Sequence, residues 1–238
     1  MSRRERNFYS GKDPRELAAY TMPEAAHYLL LPSATLRSWV AGRTYSVQSG
    51  HKFFKPVIAT PAGKRPVLSF VNLVEAHVLG AIRREHGIPL PKIRSAIEYL
   101  RREFGSSHPL ADHWFETDGL DLFVQKFEQL INITQEGQLA MRAVLHAYLR
   151  RVDRDERGVA VRLYPFTRKD PVSSPKSVVI DPRLAFGRPV IAGTGIPTAV
   201  VAERYKAGES PEELARDYDR DRKDIDEAIR CELQLEAA

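Results

Sequence analysis

The chain has 238 residues, 43% hydrophobic and 28% charged, an ordinary balance for a globular protein and enough for one large domain or two or three small ones. No apolar stretch approaches the ~18 residues of a membrane span, and no apolar run follows the basic start Met1-Ser2-Arg3-Arg4-Glu5-Arg6, so neither a membrane partner nor a secretory leader is expected. The single cysteine, Cys231, excludes an intrachain disulfide and a cysteine-cluster zinc site, and the expected location is cytoplasmic.

The net charge of +5 is unevenly spread. Residues 1–105 carry 17 Lys and Arg against 8 Asp and Glu, residues 106–177 carry 10 of each, and residues 178–238 carry 9 against 13. A basic N-terminal part suits a polyanion such as DNA, whereas an acidic C-terminal part would be repelled by one and suits a protein partner.

In chain order, Asp13-Pro14-Arg15-Glu16 opens a short turn. Thr21-Met22-Pro23-Glu24 is a capping box for a helix carried by Ala25, Ala26, Tyr28, Leu29 and Leu30, which Leu31-Pro32 breaks. A second helix starts at Ser33, keeps Leu36, Trp39 and Val40 on one face, and ends at Gly42. Extended runs between Arg43 and Val67, with a turn at Gly63-Lys64-Arg65, predict a β-wing. Ser69 caps a long helix ending at Gly87, and Pro91 starts another, with Ile93, Ile97, Leu100 and Phe104 inward, ending at Gly105.

The middle of the chain is read as a β-hairpin over 114–124 turning at Asp118-Gly119, a helix from Gln135 to Arg150, and a strand from Val159 to Tyr164. Arg168 to Lys176, with Pro171, Ser173, Ser174 and Pro175, is the expected linker. Beyond it, Thr198 caps a helix closed by Lys206-Ala207-Gly208. Ser210-Pro211-Glu212-Glu213 is a second capping box, and a last helix runs from about Arg222 into Leu235 with Ile225, Ala228, Ile229 and Leu233 inward. The expected architecture is mainly α with small β elements: a winged helix-turn-helix and helical hairpin over 1–105, a mixed α/β middle region over 106–177, and a three-helix C-terminal domain over 178–238.

A major groove admits one α-helix, and short polar side chains near its start reach base edges. Ser33, Thr35, Arg37 and Ser38 are the candidates on the second helix, followed by Arg43 and by Lys52, Lys55, Lys64 and Arg65 on the wing. Arg37 is the choice for a base or phosphate contact, because its guanidinium fork fits guanine or phosphate. The wing cations are expected on phosphates, which set register without reading sequence.

Two resemblances sharpen this. Tyr20-Thr21-Met22-Pro23-Glu24-Ala25-Ala26 and Thr35-Leu36-Arg37-Ser38-Trp39, with the helical hairpin behind them, resemble the winged helix-turn-helix of MerR-type regulators. Asp181-Pro182, Gly187-Arg188-Pro189-Val190-Ile191, Gly193-Thr194, Ile196-Pro197 and Gly208 resemble a family first described as a domain of unknown function and treated as VapB-type antitoxins beside PIN-like toxin ribonucleases. Its members usually carry Arg where this chain has Gly195. The whole layout looks like mycobacterial VapB-type antitoxins. That resemblance implies a homeodomain-like C-terminal fold, a homodimer, operator DNA and a cognate PIN-like toxin as partners, and the turn motif around Asp181–Pro197 as a fold element or toxin contact.

Enzyme chemistry is not expected, nor is a cofactor or metal. Gly193-Thr194-Gly195 lacks the Gly-Lys-Ser/Thr ending of a phosphate loop. His108, Asp112 and His113 form the one histidine cluster, without zinc spacing. Asp153, Asp155 and Glu156 alternate with Arg151, Arg154 and Arg157, which reads as a solvated, self-neutralised loop. Acidic neighbours are expected to raise the Cys231 thiol pKa and keep it unreactive. The leading reading is thus an autorepressing antitoxin of a type II toxin-antitoxin system; the alternative is a stand-alone MerR-like regulator responding to a small molecule.

Overall fold

The computed structural model describes residues 12–47, 50–61, 66–86, 90–112, 115–131, 134–168 and 173–233. The expected turn at Gly63-Lys64-Arg65, and with it the candidate cations Lys64 and Arg65, lies outside them, as do Gly87, His113, Trp114, Pro171 and Leu235. Among the described residues helices dominate, and the strands form three short antiparallel pairs.

Thr21 opens α1 (Met22–Tyr28) with the expected capping box: its hydroxyl accepts from the Glu24 amide and the Glu24 carboxylate accepts from the Thr21 amide. The helix closes on Leu30 at φ 53, with Leu31 N–H bonded to the Ala26 carbonyl and Leu30 N–H to that of His27. This paired pattern satisfies the last carbonyls and turns the chain sharply into Pro32. α2 (Ser33–Val40) follows with Leu36, Trp39 and Val40 buried. β1 (Arg43–Val47) pairs with β2 (Gly50–Phe54), Thr44 opposite Phe53 and Tyr45 opposite Lys52. The wing strands are these two, and the chain reverses between Val47 and Gly50. α3 (Phe70–His86) starts where Ser69 and Asn72 cap one another's amides, and α4 (Leu90–Phe104) lies beyond it with Ile93, Ile97 and Leu100 buried.

The hairpin expected over 114–124 is absent from its described part. Phe115–Gly119 is a π-helical turn that runs straight into α5 (Leu120–Ile131). Phe115, Leu120, Phe123 and Val124 are all buried, and Phe115 meets Phe123 edge to face with centroids 5.4 Å apart. Burying that helical stripe outweighs the local turn preference of Asp118-Gly119. α6 (Gln135–Leu149) packs on α3, and β3 (Val152–Arg154) pairs with β4 (Ala160–Leu163). Leu163 in turn exchanges two backbone hydrogen bonds with Ile180, which ties β4 to the start of the C-terminal part.

There, β5 (Val178–Val179) pairs with β6 (Val190–Ile191), and three helices follow: α7 (Thr198–Lys206), α8 (Pro211–Asp217) and α9 (Arg222–Leu233). Ser210 and Glu213 form the second expected capping box. Thr198 does not cap α7. It is the helix's first residue, and its buried hydroxyl donates to the Pro189 carbonyl and to Glu232. One buried cluster runs from Tyr20 through both helical pairs, the base of the wing and the middle region to Ile180. A second, small one holds Ile191, Val201, Leu214, Ile225, Ala228 and Ile229.

The described ends of the expected linker are pinned. The guanidinium of Arg151, 6% exposed, donates to the carbonyls of Tyr164, Pro165, Ser174 and Pro175 at 2.8–2.9 Å and stacks over Phe166. Burial lowers its pKa to about 10, so the cation persists at neutral pH. Arg168 and Thr167 donate to Glu227, 1% exposed on α9. Two of the acids near Arg151 also reach distant groups: Asp155 pairs with Arg15 while accepting from the Arg157 and Val159 amides of its own turn, and Asp153 accepts from the Tyr164 hydroxyl; Arg154 pairs with Glu116.

Candidate nucleic-acid interface

The first 2 helices and the hairpin are locked together from below. Trp39 is fully buried, and its carbonyl accepts from the amides of Val57 and Ile58 at 2.7 and 3.1 Å, which draws the chain leaving the wing back under α2. Arg101 holds the Val57 carbonyl at 2.9 Å. Phe54 anchors the wing in the core, with the Arg94 guanidinium 4.1 Å from its ring centroid. Gly42, at φ 74, joins α2 to β1; a Cβ there would lie 2.3 Å from the Phe54 carbonyl oxygen and 2.6 Å from the Phe53 ring. The close approach of wing to helix therefore requires glycine.

This packing leaves a shallow hollow of about 350 Å³ between α2 and the wing, lined by Ala34, Arg37, Ser38, Gly42 and Arg43. Of the expected DNA contacts, Ser33, Arg37, Arg43, Lys52 and Lys55 are exposed and Thr35 is half-buried. Ser38 is not on the open face: it is 8% exposed, and its hydroxyl donates to the Thr35 carbonyl at 2.8 Å. Two wing aromatics escaped the sequence reading. Tyr45 and Phe53 are 41% and 58% exposed, on opposite faces of the hairpin. Aromatic and basic residues alternating on a strand are the signal that would have singled them out.

The motif around Asp181–Pro197 divides by location. Asp181 and Pro182 are buried, and Asp181 accepts from the Arg183 amide and from Arg162 of β4. Gly187 and Arg188 face the helix-turn-helix. The buried Tyr20 hydroxyl donates to the Gly187 carbonyl at 3.0 Å, and a Cβ on Gly187 would sit 2.5 Å from that hydroxyl. Arg188 pairs with Glu24, the capping residue of α1, and interacts with Tyr28. Pro189 accepts from Thr198 and Pro197 bridges to Val190, so both shape the entry to α7. Thr194 closes its own turn through the Ile191 carbonyl and Ile196 amide, leaving Gly193 and Gly195 exposed.

Two groups singled out for possible chemistry, His108 and Cys231, are committed to structure. His108 bonds Glu75, which is 1% exposed on α3, at 2.9 Å. Burial is the main force raising the Cys231 thiol pKa, ahead of the acidic neighbours. Among the described residues no group of His, Cys, Asp or Glu is placed to hold a metal, and no helix is long and apolar enough to cross a membrane.

Residues 18–97 match the family described as "Putative DNA-binding HTH domain", and residues 178–230 match "Protein of unknown function (DUF433)". The chain is 29% identical over 226 residues to "Putative antitoxin VapB45" of Mycobacterium tuberculosis, covering 85% of this chain and 89% of that one. It is 28% identical to the uncharacterized protein Rv2308 of the same organism, with 88% of each covered. The crystal structure of Rv2018 from Mycobacterium tuberculosis superposes with a TM-score of 0.68 at 27% identity, covering 90% of this chain and 98% of that one. The chain is a homologue of the protein named "Putative antitoxin VapB45", with an N-terminal helix-turn-helix domain and a C-terminal DUF433 domain.

Proposed function

We propose that the chain is a non-enzymatic antitoxin, a DNA-binding autorepressor that neutralises a PIN-like toxin ribonuclease by direct protein binding. The observation that carries this reading is the similarity to "Putative antitoxin VapB45" along nearly the whole of both chains. The helix-turn-helix supplies the DNA arm: α2 enters the major groove, Arg37 and Arg43 reach base edges or phosphates beside the hollow, and Lys52 and Lys55 hold the flanking backbone. The exposed tip at Gly193 and Gly195 and the acidic α8–α9 surface are left for protein contact. A homodimer follows from DNA geometry, since one winged module reads few base pairs and a twofold operator needs two copies.

The test is co-purification of the tagged chain with the product of its adjacent gene, followed by a gel shift on the upstream DNA. A complex that shifts the DNA supports the reading. A shift without a protein partner moves the assignment to a stand-alone regulator, and loss of both overturns it.

A further inference from the structure

Helix α6 is covered on one side only. Met141, Leu145, Tyr148 and Leu149 are buried, while the opposite side is open along its whole length. The centre of that open side is mostly apolar: Leu139 is 61% exposed, and Ala140, Ala143 and Ala147 are exposed beside it, with His146 the one exposed polar residue at its edge. Charge stands at its two ends, Glu136 and Arg150, each seven residues from Ala143 and both exposed. At 3.6 residues per turn, positions 136, 139, 140, 143, 147 and 150 fall within about 100° of one another, a single face.

We propose that this face joins two copies of the chain, α6 lying antiparallel against its symmetry mate about a twofold axis at Ala143. The proposal deepens the homodimer named in the reading above and rests on it. A twofold interface must be self-complementary, and this face is so in both size and charge. Each residue meets the one equally far from Ala143 on the other side. Glu136 meets the partner's Arg150, and Arg150 meets the partner's Glu136. Leu139 meets the partner's Ala147, and Ala140 the partner's His146, in each case a large side chain against a small one, as interdigitating helices require. Ala143 meets its own copy, and small residues at the crossing allow the axes to approach to about 8 Å. A parallel pairing would set Glu136 on Glu136 and Arg150 on Arg150, so like charges reject it. The exposed ion pairs set the register, and the apolar centre supplies most of the adhesion.

The test needs neither DNA nor toxin, so it fails or succeeds independently of the antitoxin reading. The mass of the full chain in solution is measured by sedimentation equilibrium. Ala143→Cys is then oxidised mildly; the one native cysteine, Cys231, is buried, so the wild-type chain is the control. The expected result is a dimer that Ala143→Cys converts to a disulfide-linked pair. Glu136→Arg is expected to weaken it by about tenfold, with restoration by the double variant Glu136→Arg, Arg150→Glu. Because these positions are exposed, the variants remain folded, which circular dichroism checks. A monomeric wild-type chain overturns the proposal. So does a dimer that Ala143→Cys does not cross-link, or one indifferent to Leu139→Asp, which would mean that α6 serves another occupant or none.

Discussion

At single residues, the tightest constraints fall on Gly42, where α2 meets the wing, and on Gly187, where the C-terminal part meets Tyr20. Gly42 combines a left-handed backbone with a carbonyl and a ring where a Cβ would go. Gly42→Ala is therefore expected to lose more than about 2 kcal/mol of stability, by adding left-handed strain to a backbone clash, and to release the wing from α2. Urea denaturation with a parallel gel shift checks this; a variant as stable as the wild type with unchanged DNA affinity contradicts it. Gly195, within the family motif, is the opposite case. Nothing lies within 4 Å of its would-be Cβ, and it is not among the residues with positive φ. Gly195→Ala is expected to be neutral or to stabilise by about 0.4–1 kcal/mol through the unfolded chain, and Gly195→Arg, the residue usual in the family, to fit without strain. Melting temperatures of the two variants decide it, and a fall in either shows that the tip is not the open turn described.

Elements were legible where apolar spacing and capping chemistry agree. α1, α2, α6, α8 and α9 form close to where the residues place them, and Thr21, Thr134 and Ser210 cap α1, α6 and α8 with their side chains. The failures occur where the deciding partner is remote. Asp118-Gly119 is a strong local turn, but Phe115 and Phe123 bury against a core that the hairpin reading ignored. Arg151 looks like a surface neutraliser until the chain returns at residues 164–175 to bring it four carbonyls. The candidate site divides the same way: exposed cations were visible, whereas Ser38, expected on the open face, is buried because its hydroxyl turns back onto the Thr35 carbonyl. The His108–Glu75 bond, 33 residues apart, is another remote pairing, and it makes α3 pH-sensitive. The hydrogen bond to Glu75 raises the His108 pKa above 6.5, against the lowering effects of burial and Arg101, with Glu16 adding to the rise. Its stabilisation is fully present below the unfolded pKa of 6.5 and is lost as pH rises through the folded value. Stability to urea should fall as pH rises above 6.5, and His108→Gln should flatten that slope; an equal slope in the variant assigns it elsewhere.

Across the whole molecule, the C-terminal part grips α1, the helix packed against α2, to which the proposed function assigns DNA reading. Gly187 and Arg188 hold α1 at Tyr20, Glu24 and Tyr28, while the backbone at Cys231 and the Glu232 carboxylate on α9 act on His27 of the same helix. A ligand that moves the C-terminal domain therefore acts on α1 directly, and any DNA that prefers one setting of α1 acts back with equal free energy. The grip has a built-in titration of opposite sign to that of α3. Burial lowers the His27 pKa, only partly offset by Glu232 and the Cys231 backbone, and its Nε2 has no hydrogen-bond partner among the described residues. The neutral ring fits the interface, so this contribution is present above pH 6.5 and is lost as pH falls through the lower folded value. The two histidines thus act in separate windows, His108 above pH 6.5 and His27 below it. Cys231, buried on α9 with its backbone bonded to His27, reports the opening. Its reaction with a disulfide reagent that remains active in acid should speed up as pH falls from 7 to 5, after correction for the reagent's own pH profile on a small thiol. His27→Phe keeps a ring of similar size without the titration and should abolish the acceleration. If the variant accelerates as the wild type does, acid opens the interface through another group; if neither accelerates, α1 and α9 stay packed when His27 is protonated, and the grip does not depend on its charge.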